Sequence, residues 1–421
     1  ELIHNMTREF TFSLPVKALS RTARIIVIAR SLTTFGHGFL AILLGIYLAD
    51  IGFTLIQVGL FFSIGVAGGA LFAFFVGVLA DRIGRKKLLI CLTLMTASSV
   101  FLLIWAEHFY LILILAFAGN LNGVGGGGSG QALQPIEQAS LSDSAPTDVR
   151  TEVFALYRIV GTASAALGAL TAGLPKAYVD VFNISDLSAI KMMFVFFSIL
   201  LCLGAFTYSF LSKEIEVKVR STSWTNPLTL PSRKIIFSLV GLFSLDHFAG
   251  SLIIQGLVAY WFKANFGLQV DSLAFIFFFS QILSATSLWA SAKLSNRIGR
   301  INTMVFTHVP ANLFLLGMAF APNVWVAIIF WQLRSLLGMM DVPPRDSYTM
   351  SIVNEEERVA MAGMHIVGRN LGGTLGPSVG TALWQGVSAG APLVACCAIR
   401  MIYDATLYIM FRKVVPKDTK K

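Results

Sequence analysis

The residues that could do chemistry in this chain are few, and they interrupt long apolar runs. Asp246 lies about eleven residues into one such run, about 16 Å along it at 1.5 Å per helical residue, and His247 follows it. Arg334 and Arg369 reach comparable depth in later runs, with His365 one turn before Arg369 on the same face. Asp341 falls two turns beyond Arg334, and Arg30 shares a face with His37, seven residues on. Carboxylates, imidazoles and guanidiniums in such runs suit reversible proton binding. Burial favours the neutral acid, and a nearby arginine favours the carboxylate. Asp246, His247 and Asp341 are therefore the candidates for proton coupling. Arg30, His37, Arg334, His365 and Arg369 are the candidates for contact with a solute. Three arginines against two aspartates lean toward an anionic or zwitterionic organic solute. The competing reading is a buried ion pair with a purely structural role. Arg30 and Arg158, close to the ends of their runs, could also snorkel to water. Arg400 and Asp404, four apart, are read as neutralising each other.

The elements that must position these residues follow from composition. Of 421 residues, 56% are hydrophobic and 13% charged, with mean hydropathy +0.74. A soluble domain carries about a quarter charged residues, so an integral membrane protein is expected. The net charge of +10 then belongs to loops facing water, and no nucleic-acid partner is expected. About 20 apolar residues span a bilayer. On that length, segments fall near 25–48, 55–80, 88–106, 109–134, 152–174 and 191–211, then 235–262, 272–295, 302–320, 324–344, 359–386 and 391–411. With the N-terminus cytoplasmic, inside segments hold 24 of the 32 Lys and Arg. Outside loops hold three, Lys176, Lys191 and Lys263. Basic residues collect in cytoplasmic loops, so both termini are expected there. Arg21 and Arg24 precede the first run, and no small-residue cleavage site ends it, so it reads as an uncleaved helix. The four cysteines lie in apolar runs without metal or disulfide spacing. No nucleophile–base pair and no P-loop appears, so neither an enzyme nor a cofactor is expected.

Between the second and third runs stands a basic turn, Gly77-Val78-Leu79-Ala80-Asp81-Arg82-Ile83-Gly84-Arg85-Lys86-Lys87. A second copy, Ala292-Lys293-Leu294-Ser295-Asn296-Arg297-Ile298-Gly299-Arg300, follows at a constant offset of 215 residues. The same offset sets Gly52 on Gly267 and Gly123 on Gly338. Such an offset marks a duplicated chain. The motif resembles the loop between helices 2 and 3 of the major facilitator superfamily, with Asn296 standing where the second copy would have Asp. The resemblance covers nearly the whole chain. It implies an all-α integral membrane fold of twelve transmembrane helices in two pseudo-symmetric six-helix bundles. The expected layout is a cytoplasmic segment 1–24, a first bundle 25–211, a linker 212–234, a second bundle 235–411 and a tail 412–421. In that family helices 1, 4, 7 and 10 line a central cavity and 5 and 11 flank it. Arg30, Asp246, Arg334, Asp341 and Arg369 would converge there. Gly77 is expected to let helices approach and Gly84 to permit the turn. Asp81 is expected to dock on a helix N-terminus. Arg82, Arg85, Asn296, Arg297, Gly299 and Arg300 complete the expected conformational switch.

Two glycine-rich stretches remain. Gly123 to Gly130 contains a G-x-G-x-x-G without the strand context of a nucleotide loop. It reads as a tightly packed, deformable part of helix 4. The following Gln131, Pro135, Glu137 and Gln138 form either a polar gate or a simple helix end. Helix 11 carries Gly372, Gly376, Pro377 and Gly380 in an order that resembles the antiporter motif of the same superfamily, where it belongs on helix 5. It reads as a direction-setting element or as a close-packed kink.

These features predict a monomeric secondary transporter in a lipid bilayer, working by alternating access on a small organic solute with protons as the coupling ion. Export of an anionic or amphiphilic solute is favoured. A proton-coupled nutrient importer and a non-transporting sensor or scaffold of the same fold are the alternatives. A prokaryotic inner membrane is the expected location.

Overall fold

The computed structural model describes residues 19–124, 132–144, 150–212, 215, 230–354 and 357–414. Among them all regular structure is helical. The first half contains α1 (Arg21–Asp50), α2 (Leu55–Ile83), α3 (Arg85–Leu103), α4 (Phe109–Gly119), α5 (Gln134–Ser144), α6 (Arg150–Thr171), α7 (Leu174–Phe182) and α8 (Asp186–Ser209). The second contains α9 (Arg233–Ser251), α10 (Gln255–Phe266), α11 (Val270–Ile298), α12 (Arg300–Ala319), α13 (Val324–Leu337), α14 (Val342–Ser351), α15 (Arg358–Gly386) and α16 (Ala391–Phe411). Ten spans among the described residues are long and apolar enough to cross a membrane.

The duplication is visible in the turns. Gly52 and Gly267 both have positive φ, at 92° and 66°, and so do Gly84 and Gly299, at 105° and 88°. These are backbone conformations that a side chain disfavours, and both pairs stand at the 215-residue offset. Gly84 and Gly299 turn the chain directly from one long helix into the next. The side chains of Asp81 and Arg82, the packing around Gly77, the stretch Gly125 to Gln131 and most of the linker 212–234 lie outside the described residues.

Three segments expected to be continuous are broken. The fourth stops at Gly119, where Asn120 takes a left-handed conformation, and resumes as α5. Gly123 is therefore not helical as expected. Its φ is +62°, and its carbonyl accepts a hydrogen bond from Gly256 N–H of the other half at 3.1 Å. The seventh breaks between α9 and α10, and the tenth between α13 and α14. Backbone groups freed inside a membrane must find partners in the protein. At the tenth-segment break α11 supplies them: Ser291 Oγ donates to the Met340 carbonyl at 2.5 Å, and Met339 N–H donates to Ser287 Oγ at 3.3 Å.

In the first half α1 packs on α6 and α8, and in the second α9 packs on α15 and α16. Small residues make these contacts close. A Cβ on Gly168 would strike the Phe35 carbonyl, and one on Gly372 or Gly380 would strike the carbonyls of Ser244 or Leu252 on α9 and just beyond it. The glycines around Pro377 thus seat helix 11 against helix 7.

The buried apolar residues divide into three clusters. One, at the end opposite the basic loops, joins both halves and includes Phe39, Phe62, Leu257, Phe262, Leu273 and Leu393. At the basic-loop end each half keeps its own cluster. The polar contacts between the halves among the described residues agree. Lys263–Asp50 at 2.9 Å, Lys176–Asp271 at 2.7 Å and Ser378–Ser63 at 2.8 Å all lie toward the opposite end. Among the described residues, the halves close there and part toward the basic loops.

Candidate functional site

Each half carries a buried ionic centre, built around the short helix that resumes a broken segment. In the first half Glu137 is the fourth residue of α5 and wholly buried. Tyr157 on α6 and Tyr208 on α8 each donate a hydroxyl to its carboxylate at 2.5 Å. Arg30 on α1 reaches it through Nη1 at 3.5 Å and lies 5.1 Å from the Tyr157 ring. Glu137 is therefore not a helix end. It is where α1, α5, α6 and α8 meet, and Arg30 turns inward rather than snorkelling. Three hydrogen-bond donors around a carboxylate with no water access meet the condition under which a buried charge persists.

In the second half Asp246 is the centre, 2% exposed. Arg400 Nε stands 3.1 Å from Oδ1, Arg345 Nη2 3.3 Å from Oδ2, and His308 Nε2 3.7 Å from Oδ1. Arg345 also pairs with Asp341, one turn earlier at the head of α14. Arg334 and Arg369 are expected to converge with Asp246, but the carboxylate faces Arg345 and Arg400 instead. Arg400 and Asp404 do not simply neutralise each other. Arg400 turns to Asp246, while Asp404 accepts from His308 Nδ1 at 2.9 Å and from Asn312 Nδ2 at 3.3 Å.

Arg345 counts as a loop charge by sequence, one residue past a segment bounded at 344. It is instead helical: Pro343 and Pro344 occupy the first turn of α14, where a missing N–H costs nothing. A usable signal was present. An offset of 208 residues, which sets Arg150 on Arg358, also sets Glu137 on Arg345. Both are the fourth residue of their helix. His308 has no such signal, being one imidazole in an apolar run.

The other candidates divide between the two halves. His37 Nδ1–H donates to the Thr33 carbonyl at 2.7 Å, and its ring meets Phe197 edge-on at 5.0 Å, away from Glu137. His365 lies 4.9 Å from the Phe243 ring, and the Arg345 guanidinium lies 5.5 Å from the same ring. His247 is within electrostatic reach of Arg369 and Asp246. Arg334 and Arg369 are half-buried, and the Nε of each has no hydrogen-bond partner. Arg334 lies 5.1 Å from the Trp331 ring. Arg30 and His37 thus belong to one half, and Asp246, His247, Arg334, Asp341, His365 and Arg369 to the other.

The basic-turn arginines fasten the same short helices. Arg85 Nη1 reaches Asp143 near the end of α5 at 2.7 Å, and Arg300 Nη1 reaches Ser351 at the end of α14 at 2.9 Å. Asn296 and Arg297 are exposed on the last turn of α11.

Comparison with known proteins extends these observations. The family model described as Major Facilitator Superfamily matches residues 26–377. An uncharacterized membrane protein of Saccharomyces cerevisiae is 23% identical over 401 residues, covering 86% of this chain and 87% of its own. Multidrug resistance protein MdtG of Escherichia fergusonii is 25% identical over 350 residues, covering 81% of each chain. Tetracycline resistance protein, class H, of Pasteurella multocida is 23% identical, covering 82% of this chain and 85% of its own. Among solved structures, a mutant of the nucleoside transporter NupG superposes with a TM-score of 0.77 at 14% identity, covering 93% of this chain and 100% of that one. A bacterial homolog of the human lysosomal transporter Spinster, inward-facing and occupied, gives 0.70 at 15% identity, covering 93% and 96%.

Proposed function

The chain belongs to the Major Facilitator Superfamily, a multi-pass integral membrane secondary transporter, and on that premise we propose that it exports a small anionic or amphiphilic organic solute in exchange for protons. Curated relatives named for multidrug and tetracycline resistance support export. The excess of Lys and Arg in the basic loops supports a cytoplasmic location for those loops and both termini. The parted end then faces the cytoplasm, ready to take solute from inside. The half-buried guanidiniums of Arg334 and Arg369, with no carboxylate at ion-pair distance among the described residues, favour an anionic group on the solute. The path runs between two halves of one chain, so a monomer suffices.

The observation that carries the coupling is Asp246 held between Arg345 and Arg400 beside the break in the tenth segment. While both guanidiniums stay, the carboxylate is balanced and a proton has no place beside it. When α14 moves, Arg345 leaves and a proton can replace it. Gly77, Asp81, Arg82 and Gly84 with their second-half counterparts would set which end is closed, Arg85 and Arg300 acting through the ends of α5 and α14.

The test begins with a thermal-stability screen of the purified chain over organic acids, amphiphiles, sugars and amino acids. A stabilising compound is then loaded into proteoliposomes under an imposed pH gradient. Accumulation in the lumen against the proton flow supports export, and accumulation with it supports an importer. Binding without counterflow marks a sensor. Asp246→Asn should still exchange the compound and lose its pH-driven accumulation.

A further inference from the structure

Beside Asp246 lies a buried imidazole that the transport cycle above leaves idle. His308 on α12 stands between two carboxylates. Its Nδ1 is 2.9 and 3.1 Å from the two carboxylate oxygens of Asp404. An ionised carboxylate only accepts, so Nδ1 carries the hydrogen and donates. Its Nε2 faces Oδ1 of Asp246 at 3.7 Å, and that buried oxygen accepts no hydrogen bond. Asn312 steadies Asp404, and the Tyr403 ring stands edge-on to the imidazole at 5.9 Å. His308 is 2% exposed and Asp404 1%.

Charge bears on the same atom. Of three buried carboxylates, Asp246 meets Arg345 and Arg400 at ion-pair distance, Asp341 meets Arg345, and Asp404 meets His308. Once α14 carries Arg345 and its partner Asp341 away, Asp246 and Asp404 face Arg400 alone, and one proton on His308 would balance the negative charge that remains. The surrounding helices present further groups: His247 on α9, Arg334 on α13, His365 and Arg369 on α15, Cys396 and Tyr403 on α16. On α11, Lys293 lies over the Trp289 ring and Arg297 is exposed. None of these forms an ion pair with the three carboxylates among the described residues.

We propose that His308 is the proton carrier of the second half, taking the proton on Nε2 between Asp246 and Asp404. This rests on the proton-coupled reading above and places the proton on the imidazole instead of the Asp246 carboxyl. Protonated, the ring donates through both nitrogens, one to each carboxylate. Asp246 then keeps a cation beside it while α14 carries Arg345 away. When Arg345 returns, the N–H bond at Nε2 breaks, the proton passes to water reaching the site from the open end, and the lone pair is restored. Asp404 is a positioning residue: by accepting from Nδ1 it fixes the tautomer and leaves Nε2 as the site.

Two measurements on the full chain in lipid vesicles test this without a solute. The first is magnetic resonance of isotope-labelled histidines, of which the chain has six. His308→Gln identifies the His308 signal, or removal of the other five does so if that variant fails to fold. The His308 Nε2 should gain a hydrogen when the vesicles are moved from alkaline to acid buffer, while Nδ1 keeps its hydrogen in both. Asp404→Asn should release Nδ1 from its fixed role, so that the two nitrogens no longer keep one tautomer. A His308 signal that is the same in both buffers overturns the proposal. The second is the distance between spin labels on Lys87→Cys and Lys413→Cys, which are exposed on opposite halves at the basic-loop end. It should respond to pH, and the response should vanish with His308→Gln. If the parent protein gives no response, the proton-coupled reading itself fails. If both proteins respond alike, coupling stands and the His308 assignment falls.

Discussion

Glu137 and Arg345 occupy the same place in the two halves with opposite charge. Each is the fourth residue of the helix that resumes a broken segment, and each pairs with a buried ion on the first helix of its half, Arg30 on α1 or Asp246 on α9. The duplicated scaffold has kept the position and exchanged the sign. Removing one member of such a pair strands the other, at about 3–5 kcal/mol. Glu137→Gln should lower the unfolding free energy in detergent by about that amount. Tyr208→Phe, which removes one of two hydroxyl donors to Glu137, should cost about 1 kcal/mol. Equal costs would mean that Arg30 draws little from Glu137.

The closed end is held in part by two exposed ion pairs between the halves, Lys263–Asp50 and Lys176–Asp271. Exposed pairs contribute about 0–1 kcal/mol, too little to affect folding but enough to shift a near-balanced equilibrium several-fold. Lys263→Ala with Lys176→Ala should leave the unfolding midpoint nearly unchanged. In a background without native cysteines, Ser378→Cys should label faster once both lysines are gone. Raising salt toward about 1 M, where the Debye length falls to about 3 Å, should speed labelling of the parent and leave the double variant unaffected.

Glu357 lies just before α15 and ties it to the start of α9. Its carboxylate accepts from Ser232 N–H at 2.9 Å, Ser232 Oγ at 2.6 Å and Asn354 N–H at 3.1 Å. Burial pushes its pKa up, but these hydrogen bonds outweigh it, and the net shift is below the ordinary glutamate value. A carboxyl with a lowered folded pKa adds stability above its unfolded pKa of about 4.3 and loses it as pH falls through the folded value. Unfolding midpoints measured down from about pH 6 should therefore drop more steeply below about pH 4.3 in the parent than in Glu357→Gln. Parallel curves would remove Glu357 from the linkage.

If the helix 11 glycines serve packing, their substitutions should sort by contact. A side chain at Gly372 meets the Ser244 backbone, whereas one at Gly363 meets nothing within 4 Å. Gly372→Val should cost about 1–3 kcal/mol through overpacking. Gly363→Ala should be neutral or stabilising by up to about 1 kcal/mol, as expected for a helix interior. Wild-type stability in Gly372→Val, with altered transport direction, would favour the direction-setting reading instead.

The sequence alone determined the solvent of this protein and its repeated build. Hydrophobic runs of bilayer length can only be membrane segments, and glycines that must take positive φ recur at 215 residues because the same turn is needed twice. Exclusion from water was legible too, because an ionisable residue inside an apolar run has little water beside it: Asp246 and Asp341 are both buried. The partners were not. Helical periodicity gives the face of a residue on its own helix and says nothing of which helix lies opposite. Arg345, Arg400 and His308 come to Asp246 from positions 62 to 154 residues away. The three broken segments also escaped, because apolar composition continues across each break while the backbone finds partners on a neighbouring helix or in the other half. Hydrophobicity fixed which residues enter the membrane, and only the packing of one helix on another decided which buried charges meet.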